Sequence, residues 1–191
     1  MSAIFELDHE KLASDPRLAE IGTALEWFSQ IDSDESFNRY CQEACQVWEN
    51  EFFRNPIGET SHRFSDLLDR IERRGPGVIT TDWGGVVVTL HEHPRVEKFL
   101  VIREGKYLAL EIHEEKDERL EVVEGAGLIL WRRPDQRSLT VEALKAGAEF
   151  HLKPGMEHCL IGTENLLVFE RSIDPKGMDQ DLIFIFEPAS A

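Results

Sequence analysis

The sequence predicts a mainly β protein, a sandwich or barrel of many short strands preceded by a helical segment. Three observations carry this. Apolar residues recur at helical spacing up to Gly75. From Val78 onward, short runs rich in β-branched and aromatic residues alternate with Gly and Pro. The chain is 191 residues long with 41% hydrophobic residues, enough to bury a core without disulfide or metal staples.

Residues 1–75 read as an N-terminal helical segment of about three helices. A first stripe is Leu18, Ile21, Leu25 and Phe28. A second runs Phe37, Tyr40, Cys41, Ala44, Val47, Trp48 and Phe52, one face of an amphipathic helix. Asp32 with Glu35, or Ser33, offers its start, and Asn55-Pro56-Ile57-Gly58 its stop. A third stripe, Phe64, Leu67, Leu68 and Ile71, follows Ser61 and ends at Gly75-Pro76-Gly77. The first and third are short for independent stability, so they are expected to pack on something larger.

Residues 76–191 read as the β domain. The expected strands are Val78–Thr81, Val86–Leu90, Lys98–Ile102, Tyr107–His113, Leu120–Val123, Gly127–Trp131, Leu139–Leu144, Phe150–Leu152, His158–Ile161, Leu166–Phe169 and Leu182–Phe186. Gly105, Gly125, Pro134-Asp135, Gly147, Pro154-Gly155 and Gly162 punctuate them.

Lys and Arg number 21 against 37 Asp and Glu, a net charge of −16 that argues against nucleic acid and anionic membranes as partners. No apolar run is long enough to span a bilayer. The N-terminus lacks a basic region followed by an apolar core, so a cytoplasmic location is expected. Three cysteines, Cys41, Cys45 and Cys159, make no disulfide framework. Cys41 and Cys45 read as helix core, and Trp27 and Trp48 as packing residues.

Chemistry concentrates in two segments. In Glu111-Ile-His113-Glu-Glu115-Lys-Asp-Glu118, residues 111, 113 and 115 share one strand face, while Leu108, Leu110 and Ile112 share the other. Turned inward, the polar face suits a divalent cation; turned outward, it is a solvated strand end. Forty residues on, Pro154-Gly155-Met-Glu-His158 delivers a His at the start of a strand. His91-Glu-His93 is a weaker His pair on a strand end read as exposed. Arg132, Arg133 and Arg137 read as a basic hairpin tip, which pairs with surface carboxylates or takes an anion.

Together these segments resemble the cupin superfamily over roughly residues 78–187. Gly105 stands as the opening Gly of the first cupin motif, though seven residues rather than five precede His113. Glu118 is followed by six residues and Gly125, as in the motif. Gly155-Met-Glu-His158 matches the Gly-x-x-His of the second motif, with the proline displaced by one and Lys153 in its place. Within the superfamily the chain is most similar to the phosphomannose isomerase group. Trp83-Gly84, the strand Lys98 to Ile102 leading to Gly105, and Ala109-Leu-Glu111-Ile-His113, against Ser-Leu-Gln-x-His, carry that likeness.

The resemblance implies a cupin jelly-roll β-barrel enclosing a pocket. It implies a divalent transition metal (Zn, Mn or Fe) held by Glu111, His113, Glu118 and His158. Glu115 stands where some members have a further His, and is the spare carboxylate for acid–base work. Glu111 replaces a Gln, and Phe184 stands where the group has an Arg. The resemblance implies a metal-dependent sugar or sugar-phosphate isomerase. The alternatives are a non-catalytic or regulatory cupin binding a small polar ligand, or an iron-dependent cupin oxygenase. The expected partners are a small sugar-like ligand and a second copy of the chain, as a homodimer.

Overall fold

A computed structural model describes residues 16–19, 21–22, 55–136 and 138–186. Among the described residues, eleven strands follow helix α1 (Phe64–Glu72). They are β1 (Val78–Thr81), β2 (Gly84–Glu92), β3 (Arg95–Ile102), β4 (Leu110–His113), β5 (Asp117–Glu124), β6 (Ala126–Arg132), β7 (Thr140–Lys145), β8 (Glu149–Leu152), β9 (Glu157–Gly162), β10 (Leu166–Ile173) and β11 (Leu182–Phe186). Each expected strand is present, β1 and β11 with the expected ends and the others with ends shifted by up to a few residues.

The strands form two antiparallel sheets. One has six strands in the order β1-β2-β3-β10-β5-β8; the other has five, β11-β4-β9-β6-β7. Neither sheet closes on itself, so the jelly roll is a two-layer sandwich rather than the closed barrel the resemblance implied. Alternate residues of each strand face inward. Val86, Val88, Leu100, Ile102, Leu120, Val122 and Val168 of one sheet share a buried cluster with Ile129, Leu144 and Leu160 of the other.

Both outer faces are covered by helical chain. Phe64, Leu67 and Ile71 of α1 pack with Val87, Phe99, Val101 and Leu167 on the six-stranded sheet. The first N–H of α1, that of Phe64, donates to Glu124 of β5 at 2.8 Å, which ties the helix start to the sheet. Arg74, at φ +54°, leaves the helical conformation just past its end. Residues 16–19 and 21–22 are also helical, and Leu18 and Ile21 pack with Leu110, Leu130, Ile161 and Ile185 on the five-stranded sheet. Two of the roughly three expected helices are thus seen among the described residues. The stripe from Phe37 to Phe52, with Cys41, Cys45, Trp27 and Trp48, lies outside them. No helix among the described residues is long and apolar enough to cross a membrane.

Candidate metal centre

The two chemistry-bearing segments meet between the sheets. β4 and β9 run antiparallel with Glu111 opposite His158. After His113 the chain leaves the five-stranded sheet, turns, and enters the six-stranded sheet as β5, where Glu118 lies two residues from the inward Leu120. One short loop therefore supplies both walls. The Pro154-Gly155 turn is anchored to the same place. Gly155, at φ +81°, donates its N–H to the His113 carbonyl at 2.7 Å. Gly125, the closing glycine of the first segment, is obligatory for another reason. Its φ is +84°, and a Cβ there would lie 1.8 Å from the Asn165 carbonyl oxygen.

Ligand atoms of Glu111, His113 and His158 all lie within 4.8 Å of one another. His158 Nε2 is 3.4 Å from Glu111 Oε1 and 3.3 Å from Glu118 Oε2, and His113 Nε2 is 3.5 Å from Glu118 Oε1. His113 and His158 are 3% and 5% exposed, so these are interior groups. The Nδ1 atom of each imidazole is engaged away from the centre. That of His113 meets Asp181 Oδ1 at 2.8 Å, and that of His158 meets the Met156 carbonyl at 3.4 Å. Both partners are acceptors, so Nδ1 is the donor there and each Nε2 is turned toward the carboxylates, that of His113 also toward the Lys116 ammonium. Two such imidazoles beside carboxylates are a donor set that fits Zn, Mn or Fe.

Beside this set lies a buried ionic cluster. The Lys116 ammonium contacts Glu118 Oε1 and lies 2.5 Å from Asp179 Oδ1, 2.9 Å from Glu170 Oε1 and 3.4 Å from His113 Nε2. The Lys98 ammonium lies 2.5 Å from Asp179 and 3.4 Å from Glu170. Burial pushes the Glu118 and Asp179 carboxyls up, but Lys116, Lys98 and the neighbouring imidazoles together outweigh it and hold both well below the usual carboxylate range. Burial likewise opposes the charge on Lys116, yet Asp179, Glu118 and Glu170 raise its pKa well above that of an ordinary lysine. Lys116 is therefore a fixed cation at neutral pH. His158 is raised despite burial, by Glu118 and Glu111. Glu170 is raised by burial.

The structure brings Glu111, His113, Glu118 and His158 together. It does not bring Glu115. β4 ends at His113, so the two-residue alternation that put 111, 113 and 115 on one face stops short of Glu115. Its half-exposed side chain instead pairs with Lys176 at 3.1 Å. Of the basic tip, Arg132 is drawn inward. Arg132 lies on β6, is 6% exposed, and makes a bidentate pair with Glu157 of β9; Arg137 lies outside the described residues. Phe184, at the position of the absent Arg, is buried with Ala109 and Leu182. His93 is exposed, as its strand-end position suggested.

Five residues escaped the sequence reading: Lys98, Lys116, Glu170, Asp179 and Asp181. Two had a signal. Lys98 is in phase with Val96 and Leu100, and Glu170 with Val168, so each is a charge on the inward side of an apolar strand. Lys116 sits in an acidic run, and Asp179 and Asp181 lie in a connection whose direction only the fold reveals.

No family model and no curated protein matches the sequence. Solved structures do. The chain is similar to the capsular polysaccharide assembling protein CapF from Staphylococcus aureus, at 15% identity and a TM-score of 0.51, over 57% of this chain and 32% of that one. It is also similar to the oxalate decarboxylase OxdC from Bacillus subtilis, at 14% identity and a TM-score of 0.50, over 61% of this chain and 31% of that one. The matched region spans about a third of each neighbour's length. At this identity the likeness speaks for the fold alone, a β-sandwich of two antiparallel sheets of jelly-roll type.

Proposed function

We propose that the chain is a metal-binding cupin that holds a small polar, sugar-like ligand. The observation that carries the reading is the convergence of Glu111, His113 and His158, with both Nε2 atoms aimed at one point beside Glu118. Bound there, a divalent transition metal would supply Lewis-acid polarisation of a ligand oxygen. The chain's own residues orient that centre. Asp181 and the Met156 carbonyl fix the two imidazoles, and Glu111, whose side chain is 16% exposed, marks the more open side.

Two readings of the ligand's fate follow from different observations. The Glu-x-His spacing and its likeness to the phosphomannose isomerase group favour sugar or sugar-phosphate isomerisation. The outward position of Glu115, paired with Lys176, favours binding without turnover. Elemental analysis of protein purified without chelator tests the metal reading. One transition metal per chain, and a melting temperature lowered by chelation, are expected; saturation at a hundredfold excess over Kd stabilises by about 2.7 kcal/mol. Absence of metal, with no thermal shift on adding Zn, Mn or Fe, would overturn it. An assay of aldose–ketose interconversion on sugar phosphates then separates the two ligand readings.

A further inference from the structure

We infer that Lys116 is a resident cation that claims Glu118 for itself, so that a bound metal has three protein ligands, Glu111, His113 and His158, instead of four. This rests on the metal-binding reading and narrows it.

The donor groups fall into two overlapping clusters that share His113. One is Glu111, His113 and His158; the other is His113, Glu118 and Asp179. The second already holds a positive charge. The Lys116 ammonium is ion-paired with three carboxylates, Glu118, Asp179 and Glu170, and also lies 3.4 Å from His113 Nε2. Its side chain is 1% exposed, so water does not compete for it.

The placement of Lys116 is built into the loop. The backbone N–H groups of Glu115 and Lys116 donate to Asp181 Oδ2 at 2.7 and 3.0 Å, while the other oxygen of that carboxylate takes His113 Nδ1. One side chain therefore sets both the imidazole and the ammonium. A divalent ion in the second cluster would lie against this ammonium, and like charges a few ångström apart in a buried site repel strongly. Glu118 is thus the counter-ion of Lys116 and stands beside the metal position, touching His113 and His158 at 3.5 and 3.3 Å. A centre with three protein ligands keeps coordination positions open for ligand oxygens.

The test is metal binding to the full chain by calorimetric titration with Zn and Mn, with metal content after dialysis. Glu118→Gln should keep one equivalent and lose less than about tenfold in affinity, whereas His158→Ala should lose more than about 100-fold. Lys116→Met should free the second cluster, so the protein takes up a further equivalent or binds at least about tenfold tighter. If Lys116→Met does not fold, Glu118→Gln against His158→Ala decides alone. Loss of metal in Glu118→Gln as complete as in His158→Ala would overturn the inference and leave the metal reading standing. So would a folded Lys116→Met that binds as wild type does. If wild type binds no metal, the metal reading fails. The inference, which counts that metal's ligands, then falls with it.

Discussion

On β3, Lys98 and Leu100 point to the same side of the sheet, two residues apart, yet they belong to opposite regimes. Leu100 joins Val86, Val122, Ile129 and Val168 in an apolar interior. Lys98 joins Lys116, Glu118, Glu170 and Asp179 in an equally buried but ionic one. The apolar end gains stability from removing surface from water and tolerates similar shapes. The ionic end gains only if each charge keeps its partners, since desolvation offsets much of the attraction. What distinguishes the ends is the element that closes each. The ionic end receives two loops, residues 114–116 and 174–181, which bring counter-ions that strands alone do not supply.

The largest expected effect comes from removing one cation. Lys98→Met leaves Asp179 and Glu170 sharing Lys116, and should cost about 4 kcal/mol in urea unfolding. Leu100→Ala, two residues away, should cost about 3 kcal/mol through lost burial and a cavity. A smaller loss for Lys98→Met than for Leu100→Ala would break the contrast, because it would mean the ions are not interdependent.

Acid sharpens the same contrast. Asp179 has a folded-state pKa below its unfolded value, so its contribution is fully present above about pH 4 and is lost as pH falls below that. Leu100→Ala should lower stability by a similar amount at pH 7 and at about pH 2. Asp179→Asn should destabilise at pH 7 and flatten the acid limb. An unchanged acid limb in Asp179→Asn would show that other carboxylates set it.

Asp181→Asn should act on the metal site more than on the fold. Loss of the carboxylate that orients His113 should weaken metal binding roughly 10–100-fold, with a native circular-dichroism spectrum. Unaltered affinity would remove Asp181 from the site. The smallest effect is expected at Glu115, where Glu115→Gln disturbs one half-exposed pair with Lys176 and should change stability by less than about 0.5 kcal/mol. A marked loss of metal or activity there would restore it to the site.

Much of the fold was legible because strand signals are local. Val78–Thr81 and Leu182–Phe186 were read to the residue, since β-branched runs between turn residues need no tertiary context. The helix start at Phe64 was legible from its stripe, but its tie to Glu124, sixty residues away, was not. In the site, Glu111, His113 and His158 could be paired only through a known motif, because forty-five positions separate the two imidazoles. Glu115 lies apart from the other three because alternation holds only while the strand does, and a four-residue β4 ends before it.

Residue chemistry alone settled that this chain is a strongly acidic, mainly β protein with an imidazole–carboxylate strand, since charge, alternation and turn residues are properties of neighbours in sequence. Tertiary structure decided which charges are buried together. Whether Lys116 meets solvent or three carboxylates depends on where residues 170 and 179 arrive, and that is set by two sheets packing face to face. Two of the ammonium's three carboxylates, Glu170 and Asp179, come from far along the chain, so no local pattern could encode its role.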